Sequence, residues 1–165
     1  MASDERGAVR DDAWFEELYR AHATAVYRYL RRRAPAADVE DLTADVLATA
    51  WRRREDVPAD AALPWLYRTA GFVLANHRRK LLPVPVDELP DSRDEDGDPA
   101  LAAVADDDVR VALAALSERD RQILVLHAWE GLGGTELAQV LGISRGGADA
   151  ALSRARARLA AAWPD

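Results

Sequence analysis

Three histidines, five tryptophans and no cysteine bound the chemistry this chain can perform. Without cysteine there are no disulfides, no thiolate-held zinc or iron–sulfur centres and no thiol nucleophile. His22, His77 and His127 are scattered, with no HExxH pair among them. No serine lies in a GxSxG turn, and no glycine-rich loop runs into Lys-Ser or Lys-Thr. Gly131, Gly133 and Gly134 precede a helical pattern, but no strand leads into them as a phosphate loop requires. Glu40 and Asp41 are neighbours in sequence and so diverge on a helix instead of converging on one substrate atom. Each histidine therefore reads as a helix-face residue with ordinary hydrogen bonding. No catalytic set, metal site or cofactor is implied.

The chemistry that does fit is recognition of nucleic acid. Residues 135–158 hold the run Thr-Glu-Leu-Ala-Gln-Val-Leu-Gly-Ile-Ser-Arg. Leu137, Ala138 and Leu141 can pack inward, and the small Ala138 allows a second helix to cross closely. Gly142 supplies a left-handed turn, Ile143 fills the angle and Ser144 caps the next helix. That is the build of a helix-turn-helix, whose second helix enters the major groove by its N-terminal residues. Arg154, Arg156 and Arg158 follow at two-residue steps and can reach phosphates. A second patch lies between Pro64 and Leu82, where Arg68, Arg78, Arg79 and Lys80 meet no acid. Trp65, Tyr67, Phe72 and Asn76 are interleaved with them. Rings on which bases stack, beside cations that track the backbone, suit single-stranded or melting DNA. A third patch is acidic: Glu40, Asp41 and Asp45, with Thr43 and Leu47 nearby.

These residues need helices to hold them, and the periodicity supplies helices throughout. Phe15, Leu18, Tyr19, His22, Val26, Tyr29 and Leu30 recur at three- and four-residue steps, predicting a helix over 13–33 with Asp12 as its cap and Pro35 as its stop. A second is predicted over 38–54, burying Val39, Leu42, Val46, Ala50 and Trp51. A third covers 63–81, with Pro64 in its first turn. Further on, a short helix over 106–115 is followed by one that Ser117 caps and Gly131 ends. The pair flanking Gly142 is predicted over 135–141 and 145–162. The fold class is all-α.

Net charge, −7 over 165 residues, speaks at first against a nucleic-acid partner. Its position removes the objection. From Pro83 to Asp108 there are ten acids and one base, a net −9, so that the remainder is slightly basic. Pro83, Pro85, Pro90 and Pro99 lie in the same stretch and cannot continue a helix. The expected organisation is a disordered tail (1–12), a helical domain (13–82), a flexible, self-repelling acidic linker (83–105) and a helix-turn-helix domain (106–165). No apolar run of about 18 residues predicts a membrane span, and no signal-peptide pattern opens the chain. The expected compartment is the cytoplasm.

The order of these segments resembles the extracytoplasmic-function (ECF) group of bacterial sigma factors. Phe15-Glu16-Glu17-Leu18-Tyr19-Arg20, Val26-Tyr27-Arg28-Tyr29-Leu30-Arg31, Glu40-Asp41-Leu42-Thr43-Ala44-Asp45-Val46, Ala50-Trp51-Arg52 and Trp65-Leu66-Tyr67-Arg68-Thr69-Ala70 are similar to its region two. Leu116-Ser117-Glu118-Arg119-Asp120-Arg121, Glu136-Leu137-Ala138, Leu141-Gly142-Ile143-Ser144 and Ser153-Arg154-Ala155-Arg156 are similar to its region four. The resemblance implies a non-enzymatic specificity subunit whose partners are core RNA polymerase, promoter DNA and an anti-sigma factor. It puts Asp41, Leu42, Asp45 and Leu47 on the clamp helices of the largest polymerase subunit. It puts Arg68, Asn76, Arg78, Arg79 and Lys80 at the minus-ten element, which this region melts and reads. It puts Ser144, Arg145, Asp149, Arg154 and Arg156 at the minus-thirty-five duplex.

The chain departs from the family pattern in three places. Gly146-Gly147-Ala148-Asp149-Ala150-Ala151 stands where Gly-Thr-Val-Lys-Ser-Arg is usual, Gly71-Phe72 replaces a common Arg-Asn, and Ala44 replaces a frequent glutamine. Two glycines in a helix's first turns cost about 1 kcal/mol each relative to alanine. Asp149 is either stabilised by the helix dipole or positioned to accept from a cytosine amine. Two other readings compete: a stand-alone helix-turn-helix regulator, and a sigma-like polymerase- or anti-sigma-binding module with weakened minus-thirty-five recognition.

Overall fold

The structure, a computed structural model, describes residues 9–81, 101 and 103–163. Seven α-helices of eight or more residues are described, and every regular element among the described residues is helical.

The first three helices pack on one another. Helix α1 spans Asp12–Arg31 and buries Leu18, Val26, Tyr29 and Leu30 along one stripe. Its cap is Asp11, one residue earlier than expected, because the Asp11 side chain accepts the Trp14 N–H while Asp12 sits in the first turn. The helix also ends two residues early, at Arg31, so that Arg33 leaves it and is buried. A 3-10 turn, Ala36–Asp38, leads into α2, Val39–Arg52. A second such turn, Arg54–Asp56, takes up the residues predicted to end α2. Helix α2 buries Val39, Leu42, Val46, Leu47 and Ala50, and Trp51 meets Phe15 edge-on at 5.5 Å. Helix α3 spans Ala62–Leu81, with Leu66, Tyr67, Ala70 and Leu74 inward.

The second half begins with α4, Asp107–Ala114, whose cap Asp106 accepts from two backbone N–H groups, those of Asp108 and Val109. Helix α5 spans Glu118–Glu130 and buries four consecutive residues, Ile123 to Leu126, so it is covered on several sides. Ser117 caps it, and Gly131 ends it at φ +68°, where a side chain would be strained. Helix α6, Gly134–Leu141, and helix α7, Arg145–Ala161, flank Gly142, which is left-handed at φ +66°.

Two helical lobes were expected, and two are present, but they are not apart. Helix α3 packs against α6, and the buried apolar residues of both halves form one contiguous cluster. Of the predicted linker, residues 83–100 and 102 lie outside the described residues, as does 1–8 of the predicted tail. The last linker residues are bound into the structure: Leu101 and Val104 pack against the apolar cluster.

Candidate nucleic-acid and polymerase interfaces

Helix α7 presents two faces. Ala148, Ala151, Leu152 and Ala155 are buried at three- and four-residue steps. Arg145, Gly146, Asp149, Ala150, Ser153 and Arg154 are turned out. Ser144 fixes where the helix starts, its hydroxyl accepting from Gly147 N–H at 3.1 Å. A Cβ on Gly147 would lie 3.0 Å from the Ser144 hydroxyl, a tight approach to the cap. Asp149 has intramolecular neighbours. Its carboxylate is 3.9 Å from Arg145 Nε, and its Cγ would lie 3.1 Å from a Cβ on Gly134, at the start of α6. The Asp149 carboxylate thus lies over Gly134 at the start of α6 while its side chain stays more than half exposed.

The arginines that follow are less available than their spacing predicts. Arg158 donates to Asp120 Oδ2 at 2.6 Å, and Arg156 to His127 Nε2 at 2.7 Å. His127 is thereby fixed in the tautomer whose Nδ1–H donates to the Leu132 carbonyl at 2.8 Å. Asp120, with its side chain 9% exposed, also accepts from the Ser117 hydroxyl at 2.9 Å. The Arg158 guanidinium, helped by Ser117, holds the Asp120 carboxyl below the usual carboxylate range against the opposing effect of burial. Arg154 remains exposed.

On α3 the rings sort themselves. Tyr67 is buried and stacked on Tyr29 at 5.1 Å, Trp65 is half-buried, and Phe72 is 59% exposed. Phe72 is thus the most exposed of the three rings, with the Arg68 guanidinium 5.8 Å from its centroid. Asn76, Arg78, Arg79 and Lys80 are exposed. Arg79 donates to the Asn76 amide oxygen, and Arg78 to the Arg33 carbonyl at 3.0 Å. Burial, and next the charge of Glu130, push the Tyr67 phenol up to about 12.

Of the four residues assigned to polymerase docking, Asp41 and Asp45 are exposed on α2, together with Glu40, Ala44 and Ala48. Leu42 and Leu47 are buried, at 3% and 6% exposure, and belong to the packing beneath that face. Thr43 is used internally, its hydroxyl donating to the Val39 carbonyl at 2.7 Å.

One constellation had no sequence signal. Glu130, at the end of α5, lies between Arg33 (2.9 Å) and Arg32 (3.2 Å) of the other half. The partners are separated by nearly a hundred residues, and no periodicity or motif reports such a pair.

Comparison with known proteins matches the same two halves. Residues 18–81 match the family described as Sigma-70 region 2, and residues 106–159 match Sigma-70, region 4. The chain is 35% identical over 152 residues to the RNA polymerase sigma-E factor of Streptomyces antibioticus, covering 88% of this chain and 82% of that one. It is 32% identical over 162 residues to the ECF RNA polymerase sigma factor SigF of Caulobacter vibrioides, covering 94% and 88%. Among solved structures, CnrH in complex with the cytosolic domain of CnrY has the same fold, with a TM-score of 0.60 at 24% identity over 92% of this chain and 88% of that one. A stand-alone regulator would account for the helix-turn-helix alone, whereas these likenesses run through α1 to α3 as well. The chain belongs to the extracytoplasmic-function group of the sigma-70 family and is an RNA polymerase sigma factor.

Proposed function

We propose that α3 and α7 divide promoter reading between them, and that the outward carboxylates of α2 dock the chain on polymerase. Arg68, Asn76, Arg78, Arg79 and Lys80 take the minus-ten strand, with Phe72 as the stacking surface. Arg145, Ala150, Ser153 and Arg154 face the minus-thirty-five duplex, with Ser144 setting the entry of the helix. Asp149 positions α7 against α6. Asp41 and Asp45 pair with basic groups of the polymerase clamp helices, and Leu42 and Leu47 keep α2 rigid from beneath. The observation that carries this reading is the outward face of α7, held by the Ser144 cap and the left-handed Gly142, beside an α3 without an acid.

The protein works without chemistry of its own, in keeping with a family of generally non-enzymatic regulators, and acts in the cytoplasm. Among the described residues no helix is long and apolar enough to cross a membrane. CnrH was solved with the cytosolic domain of CnrY, and the sigma factor RpoE of Bartonella quintana with the anti-sigma factor NepR. An anti-sigma partner is proposed for this chain on that likeness.

The test is transcription. Purified protein with core polymerase should initiate at a restricted set of genomic sites, and a gel shift with and without core should show strong binding only with core. Asp41→Arg combined with Asp45→Arg should weaken core binding by about tenfold or more, while circular dichroism stays unchanged. Failure of the well-folded wild-type chain to bind core would remove the proposal.

A further inference from the structure

The minus-ten and minus-thirty-five elements lie about 25 base pairs apart, roughly 85 Å of duplex. A compact chain of this length is about 40 Å across. With α6 packed against α3, the two reading helices cannot reach both elements together. Residues 82–100 could span on the order of 65 Å if extended, so the covalent connection permits separation. Something else holds the halves together.

The contact between them has an ionic centre flanked by two aromatic side chains, Tyr29 and Trp129. The Glu130 side chain is 3% exposed and that of Arg33 9%. Arg33 Nη1 donates both to Glu130 and, at 2.9 Å, to the Tyr29 carbonyl, while its Nη2 is buried and has no acceptor among the described residues. Its guanidinium lies 3.7 Å from the centroid of Tyr29 and 5.8 Å from that of Trp129. Arg32 lies 5.6 Å from the Trp129 centroid and reaches the same carboxylate. Away from water such pairs act more strongly, and removing one partner leaves a buried charge unanswered. A second contact lies along the seam, where Arg68 Nη2 would meet a Cβ on Gly142 at 3.0 Å. The turn of the helix-turn-helix therefore lies against the tip of Arg68, an exposed residue assigned to the minus-ten strand.

We propose that Glu130 is an intramolecular lock: seated between Arg32 and Arg33, its carboxylate holds the free protein closed, with the helix-turn-helix on α3, and the halves part at this contact before both promoter elements are engaged. The functional half of that statement rests on the reading of α3 and α7 given above. The lock itself can be measured on the free protein.

The absence of cysteine makes the measurement clean. Glu17→Cys on α1 and Ala157→Cys on α7, both exposed, accept a fluorophore pair for single-molecule energy transfer. The wild-type background should give mainly the short distance. Glu130→Gln should raise the long-distance population roughly tenfold. Arg32→Gln, at the more exposed partner, should raise it less. Glu118→Gln, which removes the same charge from the exposed start of α5, should leave it unchanged. An unchanged distance in Glu130→Gln at wild-type helicity would overturn the lock. Should that variant not fold, an unchanged distance in Arg32→Gln would do the same. Core binding is scored separately, so a chain that opens on Glu130→Gln yet never binds core would count against the promoter reading and leave the lock standing.

Discussion

Helices α3 and α7 both carry arginines toward solvent, but they differ in what answers those charges. On α7 the partners are acids or an imidazole: Asp149 for Arg145, Asp120 for Arg158 and His127 for Arg156. On α3 they are neutral: the Arg33 carbonyl for Arg78 and the Asn76 amide for Arg79. A neutral acceptor orients a guanidinium without cancelling its charge, whereas a carboxylate does both. Helix α3 therefore projects an uncompensated positive field, whereas on α7 two of the four arginines, Arg145 and Arg158, are answered by carboxylates and Arg156 by a neutral imidazole. Phosphate contacts set affinity and register and base contacts set specificity, so the helix proposed for the melted strand is the one with field to spare. On the same proposal the helix that takes duplex relies on its shape and on the polymerase.

The most severe way to break this contrast is to neutralise α3. Arg78→Gln, Arg79→Gln and Lys80→Gln together should reduce open-complex formation with core on the order of a hundredfold. The salt dependence of binding to a single-stranded minus-ten probe should become shallower by about two, near 0.7 for each lost phosphate contact. Arg145→Gln with Arg158→Gln, whose charges carboxylates already answer, should cost much less and should act on duplex binding. Equal losses from the two sets would show that the compensation seen on α7 is without consequence.

How much of this could be read in advance follows the range of the interactions. Helices, caps and turns are local, and α3, Ser117, Gly131, Gly142 and Ser144 were legible because turn chemistry and periodicity act within a few residues. The displaced cap at Asp11 and the early end at Arg31 reflect competition between adjacent candidates, which tertiary packing decides. Leu47 was placed beside the acidic face of α2 by its spacing, yet helix geometry turns it into the core. Arg156 and Arg158 read as phosphate ligands because their partners, His127 and Asp120, lie on another helix. The seam between the halves was the least legible part. Glu130 meets Arg32 and Arg33 across nearly a hundred residues, and charge counting by segment assigns the two sides to separate lobes.

Asp120 offers a way to sharpen the contrast from the other side. Asp120→Asn removes the charge that answers Arg158 and weakens two hydrogen bonds, costing about 1.5 kcal/mol of stability at neutral pH. The carboxyl is held below its ordinary value in the folded state, so its contribution is present above the unfolded value, near pH 4. It is lost as pH falls through the lower folded value. The stability difference between wild type and Asp120→Asn, from urea melts at several pH values, should therefore be constant near neutrality and shrink below about pH 4. The same variant leaves Arg158 unanswered, and duplex affinity in the polymerase complex should rise about twofold. A constant difference down to pH 2 would mean that the Asp120–Arg158 pair contributes nothing as a charge.

The smallest effect reads the covered side of α3. Tyr67 is buried and stacked on Tyr29, and its phenol is pushed up to about 12, first by burial and then by Glu130, with Arg33 and Arg32 opposing. Because the folded value exceeds the unfolded one, the folded state holds the proton longer, and stability falls as pH rises from about 10 toward 12. The difference in ultraviolet titration between the wild type and Tyr67→Phe isolates this group from the other three tyrosines. In a Glu130→Gln background that step should move down, by up to about one pH unit from loss of the charge and further if water reaches the ring. A step that stays at about 12 there would show that α6 covers α3 without help from the ion pair, and that the two reading helices are held together by apolar packing alone.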